Sequence, residues 1–130
     1  FVEKIMPMAV KHPLAEEVMD HYREALPTGQ RRIGAAEFPR QLIDASLWLG
    51  DLSDEVQDKL RNVPLLLTWG LHDLAFPRQY MDRFREDFVR SQVCRLDAKH
   101  YIQEDSPVEI SAAIKDFLGS IPSTTSLASQ

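Results

Sequence analysis

Two loops carry the groups that could do chemistry. Asp73 lies in LHDLAFP, residues 71–77, directly after an apolar run closed by Gly70. His100 lies 27 residues further on, in LDAKHYIQEDSP, residues 96–107, after a second apolar run. A carboxylate that accepts a hydrogen bond from one imidazole nitrogen fixes the tautomer. It also stabilises the imidazolium formed when the other nitrogen takes a proton. The pair is then a general base usable near neutral pH, and it needs a serine, a thiol or a water to activate. A nucleophile elbow of the form Gly-x-(Ser/Asp/Cys)-x-Gly is absent from the sequence. Ser46 and Ser53 fall on or beside a helical pattern without flanking glycines, and Cys94 falls inside an apolar run. The same residues also suit a plainer reading, with Asp73 in a turn or capping the next helix and His100 an ordinary loop residue. His12, His21 and His72 read as surface or loop residues. A metal site built from His72, Asp73 and His100 lacks diagnostic ligand spacing, and Glu104 and Asp105 read as favourable charges ahead of a helix N-terminus.

The elements that must position the pair follow from hydrophobic patterning. VPLLLTWG, 63–70, is a short continuous apolar run ending in glycine, the mark of a strand buried on both faces in a parallel sheet. QVCRL, 92–96, is a second. Between them a helix is expected over about 77–90, with Met81, Phe84 and Phe88 aligned. Another is expected over about 107–118, with Ile110, Ala113, Ile114, Phe117 and Leu118 inward. Ser106, Pro107 and Glu109 form a Ser-Pro-x-Glu start that predicts a capping box. A strand, a crossover helix and a parallel strand send both following loops to one sheet edge, with neighbouring strands ~4.8 Å apart. Open α/β sheets hold their ligands at that edge.

The first half is helical in pattern. Residues 1–12 read as a short helix end running into a loop at Pro7 and Pro13, and 14–26 as a helix stopped by Pro27 and Gly29. A further helical piece starts at Thr28 and is expected to break at Pro39, and a longer helix covers roughly 46–61. The expected divisions are a helical segment at 1–45, a β-α-β-α portion with two parallel strands at 46–119, and a loose Ser/Thr-rich tail at 120–130. The fold class is α/β.

The composition excludes several roles. With 130 residues and 44% apolar content the chain suits one globular domain. A net charge of −5 without a basic patch argues against nucleic acid. A single cysteine rules out an internal disulfide framework and a cysteine-based zinc site. It reads as a buried structural thiol and suits a cytoplasmic location. No apolar run reaches the roughly 20 residues of a membrane span. The chain opens on Phe1 rather than Met, so a stretch of a longer polypeptide is expected.

WGLHDLAFP, 69–77, and DAKHYIQEDSPVEISAAIKDFL, 97–118, resemble the last two strands and loops of α/β-hydrolases, most closely haloalkane dehalogenases. The first half, FVEKIMPMAVKHPLAEEVMDHYRE and FPRQL, is similar to their helical cap, so the likeness covers about residues 1 to 119. The resemblance implies a C-terminal portion of an α/β-hydrolase fold. It implies hydrolysis of a small apolar, halogenated substrate: an aspartate displaces halide to form an alkyl ester, and a histidine then activates water against the ester. His100 matches that histidine, and Asp73 matches the orienting acid of those members that carry it after the penultimate strand. Phe1, Ile5, Ala9, Leu74, Ala75 and Tyr101 match pocket-lining positions. No cofactor or metal is implied. The nucleophile and oxyanion hole of the family belong to an N-terminal half not found in this sequence, and Lys99 stands where glycine is common. Epoxide hydrolases and esterases share the remaining parts, and an inactive remnant is the other alternative. The chain alone is expected to be inactive. A bare apolar strand edge is expected to pair with the missing half or with a second copy, most simply as a dimer.

Overall fold

The computed structural model describes residues 1–122. In order they form α1 (Ile5–Met8), α2 (Glu16–Ala25), a 3-10 turn (Gln30–Arg32), α3 (Ile33–Asp44), α4 (Ser46–Leu60), β1 (Leu65–Gly70), α5 (Arg78–Asp87), β2 (Ser91–Leu96), α6 (Ile102–Asp105) and α7 (Pro107–Ser120). The β1 and β2 strands are adjacent and parallel, registered from Leu65 opposite Ser91 to Gly70 opposite Leu96. Pairing continues past the strands: Leu71 N–H donates to the Leu96 carbonyl at 2.9 Å and His72 N–H to the Ala98 carbonyl at 3.0 Å. The two loops therefore leave the sheet side by side at its carboxyl edge.

Side chains alternate across the sheet. Trp69 meets Phe84 of α5 with ring centroids 6.5 Å apart. Gln92, whose register places it on the other face, donates from Nε2 to Ser120 Oγ of α7 at 3.2 Å. These contacts set α5 and α7 against opposite faces of the two strands. The buried apolar side chains are Met6, Val10, Met19, Leu67, Met81, Phe88, Leu96 and Ala98; Leu96 and Ala98 lie at the carboxyl edge, and Phe88 lies at the opposite end, just before β2.

Several local expectations are corrected. The α3 helix does not break at Pro39 but runs through it. Proline costs that turn one backbone donor and brings its ring against the preceding turn without ending the helix. The capping box at 106–109 is not formed. Ser106 is buried and its side chain makes no cap bond; α7 starts with Pro107 at its first position instead. The segment after β2 is not simply a loop, since residues 102–105 make the one-turn α6. Strand β1 is not covered on both faces: Leu67 and Gly70 are buried and the rest half-buried. Ile114 and Leu118 of α7 are exposed, as is Phe84 of α5. Cys94 is half-buried rather than buried. Ser120 still belongs to α7, and from residue 123 the expected tail lies outside the described residues.

The helices α3 and α4 contact each other, and α3 also contacts the 3-10 turn before it. Their large apolar side chains stand in solvent, among them Phe38, Ile43, Leu47 and Trp48. No helix of the described residues is long and apolar enough to cross a membrane.

Candidate active site

Asp73 and His100 meet at the carboxyl edge. His100 Nδ1 lies 3.0 Å from Asp73 Oδ2. The other carboxylate oxygen, Oδ1, accepts the backbone N–H of Ala75 at 2.8 Å and of Phe76 at 3.0 Å. This Asx arrangement fixes the carboxylate within its own turn. The Asp73 side chain is only 8% exposed and the His100 ring 35%. Burial pushes the Asp73 carboxyl up, but the hydrogen bonds from Phe76, His100 and Ala75 outweigh it and hold the group below the usual carboxylate range. An ionised carboxylate only accepts, so the proton of the shared bond sits on His100 Nδ1. In the neutral ring the lone pair is then on Nε2, which has no hydrogen-bond partner among the described residues.

Aromatic rings complete the setting. Phe76 stacks on the imidazole at 5.4 Å between centroids and 30° between planes, and Tyr101 meets it edge-on at 5.3 Å. Burial pushes the Tyr101 hydroxyl up in pKa. Trp69 Nε1–H donates to the Phe76 carbonyl at 3.0 Å, which ties the stacking residue back to β1.

A cleft of about 460 Å³ opens beside the pair. Phe1, Ile5, Ala9, Leu74, Ala75 and Tyr101, the six positions expected to line a pocket, all border it, as do Asp73 and His100. Its volume is in the range of small-molecule sites. The wall is open on one side: Leu74 is 97% exposed and Phe1 73%. A larger apolar cleft of about 850 Å³ lies between the first residues, α2 and α3; it shares Phe1 but holds neither Asp73 nor His100.

His72 does not join the pair. Its Nε2 lies 2.9 Å from Asp97 Oδ1, and the other oxygen of Asp97 is bound by the Lys11 ammonium. Lys11, followed by His72, holds the Asp97 carboxyl below its ordinary range. No cluster of three or more metal-ligating side chains is found among the described residues.

Patterning misses the part that four residues play in supporting the site. Glu104 and Asp105 are not free charges ahead of a helix. Glu104 accepts the Tyr22 hydroxyl at 2.6 Å, and Asp105 accepts two backbone N–H groups, of Lys11 at 2.7 Å and Lys99 at 2.9 Å. Gly70 lies beneath the histidine loop. A Cβ there would stand 2.3 Å from the Lys99 carbonyl oxygen and 2.8 Å from that of Ala98. Phe76 is the fourth. The glycine closing the strand and the Asp-x-x-Phe spacing are signals visible in the sequence; the Asp105 contacts, 94 residues apart in one case, are not.

Two adjacent parallel strands separated by a helix, with an acid after the first and its histidine after the second, define the C-terminal portion of an α/β-hydrolase fold. No protein-family model matches the chain. Single proteins do. Over 121 residues, 92% of this chain, it is 40% identical to haloalkane dehalogenase 2 of Mycobacterium tuberculosis and of Mycobacterium bovis, covering 42% of their length. It is 29% identical to a haloalkane dehalogenase of Bradyrhizobium diazoefficiens, over 93% of this chain and 41% of that protein. It is 30% identical to a cis-3-alkyl-4-alkyloxetan-2-one decarboxylase of Shewanella oneidensis, over 83% of this chain and 36% of that protein. The chain is thus similar to haloalkane dehalogenases, and it spans about two fifths of the length of these curated relatives.

Proposed function

We propose that this chain carries the base and the orienting acid of a hydrolase that cleaves carbon–halogen bonds through an alkyl-ester intermediate. The observation that carries the reading is the 3.0 Å contact between His100 Nδ1 and an ionised, turn-locked Asp73, with Nε2 left available beside an apolar cleft. His100 takes a proton from the water that attacks the ester, and Asp73 stabilises the imidazolium. Phe1, Ile5, Ala9, Leu74, Ala75 and Tyr101 present a largely apolar lining suited to a short haloalkane. The names of the relatives in Mycobacterium and Bradyrhizobium support the substrate class. In this reading the nucleophile lies outside these residues, in a longer protein of the relatives' length, and the chain alone gives no turnover.

In this reading residues 1–45 serve as the cap segment and 46–119 as the core portion. The N-terminal part covers the exposed apolar side chains of α3 and α4. A second copy of the chain takes that place when it is alone. Sedimentation of the isolated chain at low concentration separates the cases, since a compact monomer speaks against self-association.

The test of the chemistry is His100→Ala in a full-length enzyme containing this chain. With a short bromoalkane it is expected to release about one halide per active site and to stop with the ester formed. Sustained turnover in that variant removes His100 from the mechanism.

A further inference from the structure

The residues on either side of His100 are held by Asp105 close by and by residues 8–9 far away in sequence. Lys99 N–H donates to Asp105 Oδ2 at 2.9 Å, and Tyr101 N–H donates to the Ala9 carbonyl at 3.2 Å. The Lys99 ammonium reaches the Met8 carbonyl at 3.1 Å. Asp105 completes the connection: its other oxygen, Oδ1, accepts Lys11 N–H at 2.7 Å. One carboxylate at the end of α6 therefore bridges the backbone of the histidine loop and the backbone that follows α1. That second backbone runs on directly from α1 and Ala9, and Ile5, Met8 and Ala9 form part of the cleft wall. Asp105 does not touch His100 or the cleft.

We infer that Asp105 is a positioning residue that sets the depth of His100 and the place of the Ile5–Ala9 wall together. A carboxylate is suited to this because both of its oxygens accept, and each faces a backbone donor. The Asp105→Asn side chain keeps one acceptor and turns an NH₂ group toward an N–H, so one of the two arms of the clamp is lost and replaced by a repulsive contact. The histidine loop can then slide relative to the wall. Ester formation does not use the histidine, whereas ester hydrolysis depends on its placement to a fraction of an ångström. The hydrolytic half of the reaction is therefore the sensitive one.

This inference rests on the proposed role of His100, and the test keeps the two apart. In the full-length enzyme, Asp105→Asn and His100→Ala are compared with the parent, using a short bromoalkane. Halide release in the first turnover and decay of the covalent ester are measured separately on folded protein. Asp105→Asn is expected to keep its halide burst and to hydrolyse the ester about 10- to 100-fold more slowly. Amide hydrogen exchange at Lys11 and Lys99 is expected to speed up together. Ester decay within about twofold of the parent in folded Asp105→Asn overturns the inference while His100→Ala still stalls. Sustained turnover in His100→Ala overturns the reading of the site instead, and the clamp is then decided by exchange alone: unchanged protection at Lys11 and Lys99 overturns it. If Asp105→Asn does not fold, Asp105→Glu keeps both acceptors on a longer arm. The same slowed ester decay with a retained burst is expected there, and parental decay again overturns the inference.

Discussion

The carboxyl edge of the sheet and the α3–α4 arm are opposites in how they are held. At the edge, most polar groups around His100 have a named partner, and several of those bonds join residues more than 80 positions apart. In the arm, long-range partners are few, and Leu47 is 86% and Ile43 74% exposed. The arm is apolar enough to form a core face yet has little among the described residues to pack on. The chain therefore organises its candidate acid–base pair from within, while the apolar face of its helical arm is left bare among the described residues. In the proposed reading this exposed apolar area is an interface.

The largest effect is expected at the pair itself. Replacing Asp73 by Asn removes the acceptor charge and admits the wrong imidazole tautomer. In the full-length enzyme, ester hydrolysis is expected to fall by about 10³- to 10⁴-fold, read as covalent ester that accumulates and persists. Hydrolysis at the parental rate would leave the edge no better organised for chemistry than the arm. Close packing at the edge is tested at Gly70. A methyl group at 2.3 Å from the Lys99 carbonyl oxygen cannot be accommodated without moving the histidine loop. Gly70→Ala is expected to cost about 2–3 kcal/mol in denaturant unfolding and to weaken hydrolysis as well. An unchanged midpoint would mean that the loop is not packed on the strand end.

Acid titration separates the two regions by a smaller amount. The Asp73 carboxyl is depressed in the folded state relative to its ordinary value of 3.8. Its contribution to stability is therefore fully present above that ordinary value and is lost as pH falls from there through the lower, folded value. Asp73→Asn is expected to flatten that part of the stability curve measured against pH. A parallel curve for the two proteins would remove the carboxylate's ionised state from the account. The smallest effect is expected in the arm: Leu47→Ser should shift unfolding of the isolated chain by no more than about 0.5 kcal/mol. The same change in the full-length protein should cost more, because there the side chain is covered; equal effects in the two would mean that the arm stays bare.

Much of the second half is legible in the sequence. The short run at 63–70, continuous and closed by Gly70, and the shorter one at 92–96 are both strands, and the parallel crossover places both loops at one edge. The geometry joining Asp73 to His100 follows from that topology. What escapes the sequence is what depends on distant partners. Asp105 looks like a helix-dipole charge until the backbone of Lys11 is brought to it. The helical period identifies apolar faces on α4 and α7, but a period says which residues share a face and nothing of what lies against it. Pro39 misleads for a related reason: proline removes one donor, and the rest of α3 carries the helix across it.

The proposed chemistry stands on Asp73 holding His100 with its proton on Nδ1 and its lone pair on Nε2. Nitrogen-detected NMR of the His100 ring in the full-length protein reads this arrangement without intermediaries. In the neutral ring the account predicts a protonated, hydrogen-bonded Nδ1 and an unprotonated Nε2, a pattern lost in Asp73→Asn. A neutral ring protonated on Nε2, or one indifferent to the Asp73 change, would contradict it.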